Sequence, residues 1–156
     1  MSTPLIDEGA MLNLKELSAW AFTSIQMEME MRNFFRCVDE DRHAKVRPFL
    51  SHLGLDRQIG YGYKICRVTG RVALQKSSDF QALLFPLSIG AGSRSIGSGE
   101  AMINVGLLKP GYWIEITTVI VIDALMDCLI VLLPEPGFLI APTQSQSLQI
   151  EHTVSH

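Results

Sequence analysis

The chain has 156 residues, of which 47% are hydrophobic and 19% charged, with a net charge of −3 and a mean hydropathy of +0.22. That balance excludes a disordered chain, and a chain of about 150 residues buries roughly 70% of its unfolded surface without help from disulfides or metal. The low charge leaves apolar surface for a core or for a subunit interface.

Asn13, with Glu16 three residues on, has the form of a capping box and predicts a helix start. Leu14, Leu17, Ala21, Phe22, Ile25 and Met29 keep helical spacing, which drifts on to Met31, Phe34, Phe35 and Val38. Neither Gly nor Pro interrupts residues 14–46. The expectation is one long helix over residues 14–38, with a break near Arg32 compatible with its length. Met27-Glu28-Met29-Glu30-Met31 is included because Met and Glu are both good helix formers. A second, short helix is predicted over residues 45–53, with Pro48 in its first turn and Gly54 closing it.

Beyond Ile59 the pattern turns to strands. Tyr61, Tyr63 and Ile65 alternate, so residues 60–75 read as a strand or hairpin, with the tyrosines facing the core. Residues 80–89 contain Pro86 and read as an edge strand or irregular segment. A glycine-rich loop at residues 90–99 precedes a strand at 101–108. Lys109-Pro110-Gly111 has the order of a type II turn. Residues 112–122 read as the strongest strand, because 117–122 is largely β-branched. Glu115, Asp123 and Asp127 argue against a bilayer-crossing helix there. Residues 123–127 are expected to reverse the chain and 128–133 to return antiparallel. Pro134-Glu135-Pro136-Gly137 reads as a turn before a short segment at 138–141. The fold class is therefore α+β: a long N-terminal helix and a second short helix packed on a mainly antiparallel sheet. It forms one globular domain over residues 1–142, followed by a flexible polar tail at 143–156.

Few residues carry recognisable chemistry. Cys37, Cys66 and Cys128 are odd in number and lack CxxC spacing, so they read as reduced, mostly buried thiols. Gly92 and Gly97 have P-loop spacing, but Ser98 and Gly99 stand where Lys and Ser/Thr are required. Gly90 and Gly92 lack the third glycine of a dinucleotide loop, because position 95 is Ser. His152 and His156 have i,i+4 spacing without the HExxH glutamate. Cys37 and His43 sit in no nucleophile signature. No catalytic residue, metal or cofactor is expected. The N-terminus lacks the basic and apolar regions of a secretory signal.

Charge is the more informative pattern. Residues 42–76 hold eight basic residues against Asp56, a local balance of +7, while the remainder carries −10. Arg42, Lys45, Arg47, Arg57, Lys64, Arg67 and Arg71 are the candidate surface for RNA, a nucleocapsid or anionic lipid. Such asymmetry also suits head-to-tail association of identical chains.

Arg47-Pro48-Phe49-Leu50 leading to Leu53-Gly54 resembles the second-helix segment of the matrix proteins of rhabdoviruses. Val105-Gly106-Leu107-Leu108-Lys109, followed by Ile114-Glu115-Ile116-Thr117, is similar to the Ile/Val-Gly-Leu-x-Lys strand of that family and the strand after it. The first fourteen residues contain no lysine and no Pro-Pro-x-Tyr motif occurs, so the likeness is to the compact plant-virus type. The resemblance, over residues 45–122, implies a homo-oligomer in the virion and host cytoplasm. It also implies condensation of a ribonucleoprotein beneath an envelope and peripheral contact with anionic membrane. An RNA-binding or silencing-suppressor module is the alternative. A small enzyme using the loop at 90–99 is a third.

Overall fold

The computed structural model describes residues 3–4, 7–24, 26–90 and 99–135. Along the chain come β1 (Thr3–Pro4), α1 (Glu8–Thr23), β2 (Met27–Met31), β3 (Phe34–Cys37), α2 (Arg42–Leu53) and a 3-10 turn (Leu55–Arg57). Then follow β4 (Gly62–Leu74), β5 (Phe80–Ile89), β6 (Ala101–Ile103), β7 (Gly106–Leu108), β8 (Tyr112–Glu115) and β9 (Ile120–Pro134). The fold is α+β. One seven-stranded sheet runs in the order β1-β8-β5-β9-β4-β3-β2, all strand pairings among the described residues are antiparallel, and β6 and β7 form a separate hairpin.

The sheet is buried on both faces. Ile65, Leu83, Phe85, Leu129 and Val131 face the two helices, meeting Leu14, Leu17, Phe49 and Leu50. The alternate residues, among them Cys66, Val68, Leu84, Ile130 and Leu132, form a second core with Ile103 and Leu108 of the hairpin. Strand alternation sends successive side chains to opposite faces. A strand covered on both sides therefore needs apolar residues at every position, which is why residues 128–133 form an unbroken apolar run.

The front helix is present, but it starts earlier than expected and ends at Thr23, and residues 27–31 and 34–37 are strands instead of its second half. α1 begins five residues before Asn13, capped by Asp7, whose Oδ1 accepts from the Gly9 N–H at 2.8 Å. Asn13 lies within the helix and donates instead to the Pro48 carbonyl at 3.2 Å. The helix stops at Thr23, where Ser24 N–H bonds back to Ala21 O and Arg67 reaches across to the freed carbonyls. The Met-Glu alternation then acts with its period of two and forms β2, paired to β3 through a turn at Arg32-Asn33. Asn33 takes φ 67°, a left-handed value to which Asn is well suited. Its side chain donates to Arg71 O at 3.1 Å, tying the turn to β4.

α2 starts at Arg42, three residues earlier than expected, so Pro48 falls inside the helix rather than in its first turn. Gly54 closes the helix as expected, with φ 74° and its N–H directed to Leu50 O and Ser51 O. His52 Nε2 lies 2.7 Å from Asp7 Oδ2 and joins the end of α2 to the start of α1. That contact holds the Asp7 carboxyl below its usual range, so it favours the fold above ordinary carboxylate pH and is lost on acidification through the lowered pKa.

Four expectations in the strand half are corrected. β5 lies inside the sheet, between β8 and β9, and accommodates Pro86 by a register slip between Pro86 and Ser88. Residues 101–108 fold as a hairpin, with Gly106 at φ 146°. The strand expected over 112–122 is broken between Glu115 and Ile120, where Asn104 substitutes for a neighbouring strand. Its Oδ1 accepts from Val121 N–H at 2.9 Å and its Nδ2 donates to Val119 O at 3.0 Å. Nor do residues 123–127 reverse the chain. β9 runs through them because Asp123 and Asp127 stand opposite Arg71 and Arg67 of β4. The turn at Lys109-Pro110-Gly111 is present, with Tyr112 N–H donating to Lys109 O at 3.2 Å and Gly111 at φ 93°.

Among the described residues no helix is long and apolar enough to cross a membrane. The readings made for residues 91–98 and 136–156 lie outside the described residues.

Candidate functional site

The candidate cations divide between two elements. α2 carries Arg42, Lys45 and Arg47 in twelve residues that contain no acid. Arg57 follows in the 3-10 turn, and Lys64, Arg67 and Arg71 are on β4.

Lys64 and Arg67 do not form the outward electrostatic surface predicted for them. The Lys64 side chain is 4% exposed and its Nζ lies 2.6 and 2.9 Å from the two Glu30 oxygens. An ammonium at an inward strand position is stable only when paired, and β2 brings the carboxylate to it. Arg67 donates from Nε to Asp127 Oδ1 at 2.8 Å and from Nη2 to Oδ2 at 3.2 Å. Its remaining donors reach Ala21 O at 2.7 Å and Ser24 O at 3.0 Å. The guanidinium thus joins β9 to the C-terminal end of α1, where positive charge is favoured. The Asp127 hydrogen bonds raise its pKa further, against the opposing effect of burial.

Arg71 is exposed, nine residues along β4 from Gly62, or roughly 30 Å at strand rise, and so lies far from α2. Arg42 donates to Asp39 O at 2.9 Å. Lys45, Arg47 and Arg57 are exposed, and among the described residues none has a carboxylate within salt-bridge distance. Lys45 and Arg47 lie about 200° apart around the helix axis, on opposite flanks of α2. The seven cations therefore do not share one face. The outward positive charge is concentrated on α2 and the turn after it.

Lys45 also borders a groove of about 270 Å³ between α1 and α2, with Trp20, Asn13, Glu16 and Pro48 among its walls. A half-buried indole beside an unpaired ammonium can offer a stacking surface and a counter-charge together. Sequence reasoning did not select Trp20. Its signal was present only in retrospect: it lies three residues after Leu17 on α1, at the border of the buried stripe.

Tyr61 and Tyr63 pack against the helix-facing core, as expected. Tyr63 stacks on His43 with ring centroids 5.8 Å apart, and its hydroxyl is 3.2 Å from His43 Nδ1. Burial pushes the Tyr63 phenol up to about 12, partly opposed by Arg42. Below pH 10 the phenol is protonated whether the chain is folded or not, and stability is unaffected by its titration. Between pH 10 and about 12 the unfolded chain loses this proton and the folded chain keeps it, so stability falls as pH rises. In urea denaturation series, wild type is expected to lose more stability over that window than Tyr63→Phe, with parallel pH dependence below it.

Cys37, Cys66 and Cys128 are all buried and free. Cys37 lies 3.9 Å from Ser24 Oγ, while His43 is engaged with Tyr63. Cys66 and Cys128 face each other across β4 and β9, and burial pushes the Cys66 thiol well up. Among the described residues no cluster of three or more His, Cys, Asp and Glu is placed to hold a metal ion.

No family model matches the chain, and no curated protein matches it. Among solved structures, the chain is similar to the crystal structure of ectoine synthase from P. lautus, with a TM-score of 0.42 and 11% identity over 86% of this chain and 83% of that one.

Proposed function

We propose that this chain is a non-enzymatic structural protein of the viral matrix type, which self-associates and presents α2 to the phosphates of a ribonucleoprotein. The observation that carries the reading is the charge of α2: three cations and no acid on an exposed helix, with Lys45 beside Trp20 in a groove. The resemblance over residues 45–122 agrees with it, and that resemblance supplies the setting beneath an envelope. Large apolar side chains left in solvent, including Phe22 at 71% and Ile59 at 72%, supply surface for association. Peripheral contact with anionic lipid would use the same cations.

The test is fluorescence anisotropy of a labelled single-stranded RNA against the full chain over a range of NaCl, with anionic vesicles in a parallel series. Binding is expected to weaken with salt, with a log–log slope of about −0.7 for each phosphate neutralised. Lys45→Glu should make the slope shallower by about 0.7, if that cation meets one phosphate. Trp20→Leu should cost about 1–3 kcal/mol in RNA affinity through lost stacking. Undiminished RNA binding by the charge-reversed variant would overturn the assignment of α2. Binding of vesicles but not RNA would place the same helix on a lipid surface instead.

A further inference from the structure

We infer that two copies of this chain pair through the outer face of α1, antiparallel and two-fold symmetric; the inference rests on the self-association reading above and names the surface. The helix is 16 residues long, about 24 Å. Its inward stripe, Ala10, Leu14, Leu17 and Ala21, is consumed by the core. The opposite stripe is Glu8, Leu12, Lys15, Ala19 and Phe22, spaced four, three, four and three residues apart. That spacing is the seam of a two-helix coiled coil, and it is the exposed side here. Leu12 is 61% and Phe22 71% exposed, which is costly for large apolar side chains unless another surface covers them.

A second copy fits this stripe better than an unrelated partner because the stripe is complementary to itself. In an antiparallel pair, Leu12 falls opposite the partner's Phe22 and Lys15 opposite the partner's Ala19. The symmetry repeats both contacts at the other end. Large therefore meets large at the ends, and the small Ala19 lets the Lys15 stem lie flat at the middle. The Lys15 ammonium then comes within reach of the partner's Glu16, one helical turn from the partner's Ala19. Lys15 and Glu16 are both exposed, and among the described residues neither has an opposite charge within salt-bridge distance. A cavity of about 410 Å³ runs along the same side of α1, between Met11, Leu14 and Ser18 of the helix and Leu87 and Pro110 of the sheet side. The partner's Phe22 ring would sit at its Met11 end.

Sedimentation velocity on the full chain across protein concentration tests the pairing. Wild type is expected to dimerise. Phe22→Glu should remain monomeric at every concentration at which wild type is a dimer, with unchanged circular dichroism because the ring is exposed. Lys15→Glu should weaken the dimer by facing like charge, and Lys15→Glu with Glu16→Lys should restore it. Leu125→Glu, an exposed apolar position on β9, should dimerise as wild type does. If wild type associates and neither Phe22→Glu nor Lys15→Glu alters it, the α1 face is wrong while self-association stands. A wild type that stays monomeric throughout would overturn both.

Discussion

Replacing Arg67 with alanine is expected to lower the free energy of unfolding by about 3–5 kcal/mol, the usual consequence of removing one partner from a buried ion pair. The Asp127 side chain is 5% exposed and would be left without the guanidinium that meets both of its oxygens. The same substitution removes the donors to Ala21 O and Ser24 O, so the end of α1 loses its cross-link to the sheet. Urea denaturation followed by circular dichroism should show a lower midpoint with little change in slope. Arg67→Lys should recover only part of the loss, since a single ammonium cannot span the carboxylate and the helix carbonyls together. An unchanged midpoint for Arg67→Ala would mean that the contact seen between β4, β9 and α1 contributes nothing.

Lys64→Met is expected to cost about 3 kcal/mol for the same physical reason. The lower end of the range applies because Arg36 Nε, 3.5 Å from Glu30 Oε1, still offsets part of the buried carboxylate charge. Lys64→Met with Glu30→Leu should recover most of the loss, because an apolar pair of similar volume needs no desolvated charge. RNA affinity should be unaffected in both variants once they are compared at a temperature where each is folded. These outcomes separate a cation that builds the fold from one that meets a partner. Lys45→Glu should show the reverse pattern, with little change in stability and a loss of binding.

The strand half of the fold was legible because burial on both faces left a direct trace in composition. The apolar run at residues 128–133 follows from it, and the alternation at Tyr61, Tyr63 and Ile65 marks the helix-facing side of β4. The front half was misread because Met and Glu favour a helix by propensity, while their alternation with a period of two is the pattern of a strand. The choice was made by tertiary contacts, Arg67 closing α1 and Asn33 anchoring the β2–β3 turn to β4, and neither is visible in a local window. Asp123 and Asp127 were read as a turn because acids are rare in buried strands. Only the register with Arg71 and Arg67 makes them compatible with one. The site was legible as a density of charge along the chain, but not as a surface. Residue spacing cannot tell that β4 turns Lys64 inward to Glu30 while α2 turns Lys45 outward beside Trp20.

The division of the basic residues into structural and outward-facing groups can be read directly from lysine reactivity. Limited acylation of the folded chain, followed by mass spectrometry, should modify Lys45 early and leave Lys64 intact. Added single-stranded RNA should then protect Lys45 selectively. Modification of Lys64 at the pace of Lys45, or a Lys45 whose rate is indifferent to RNA, would contradict the assignment of α2 as the surface that meets the partner.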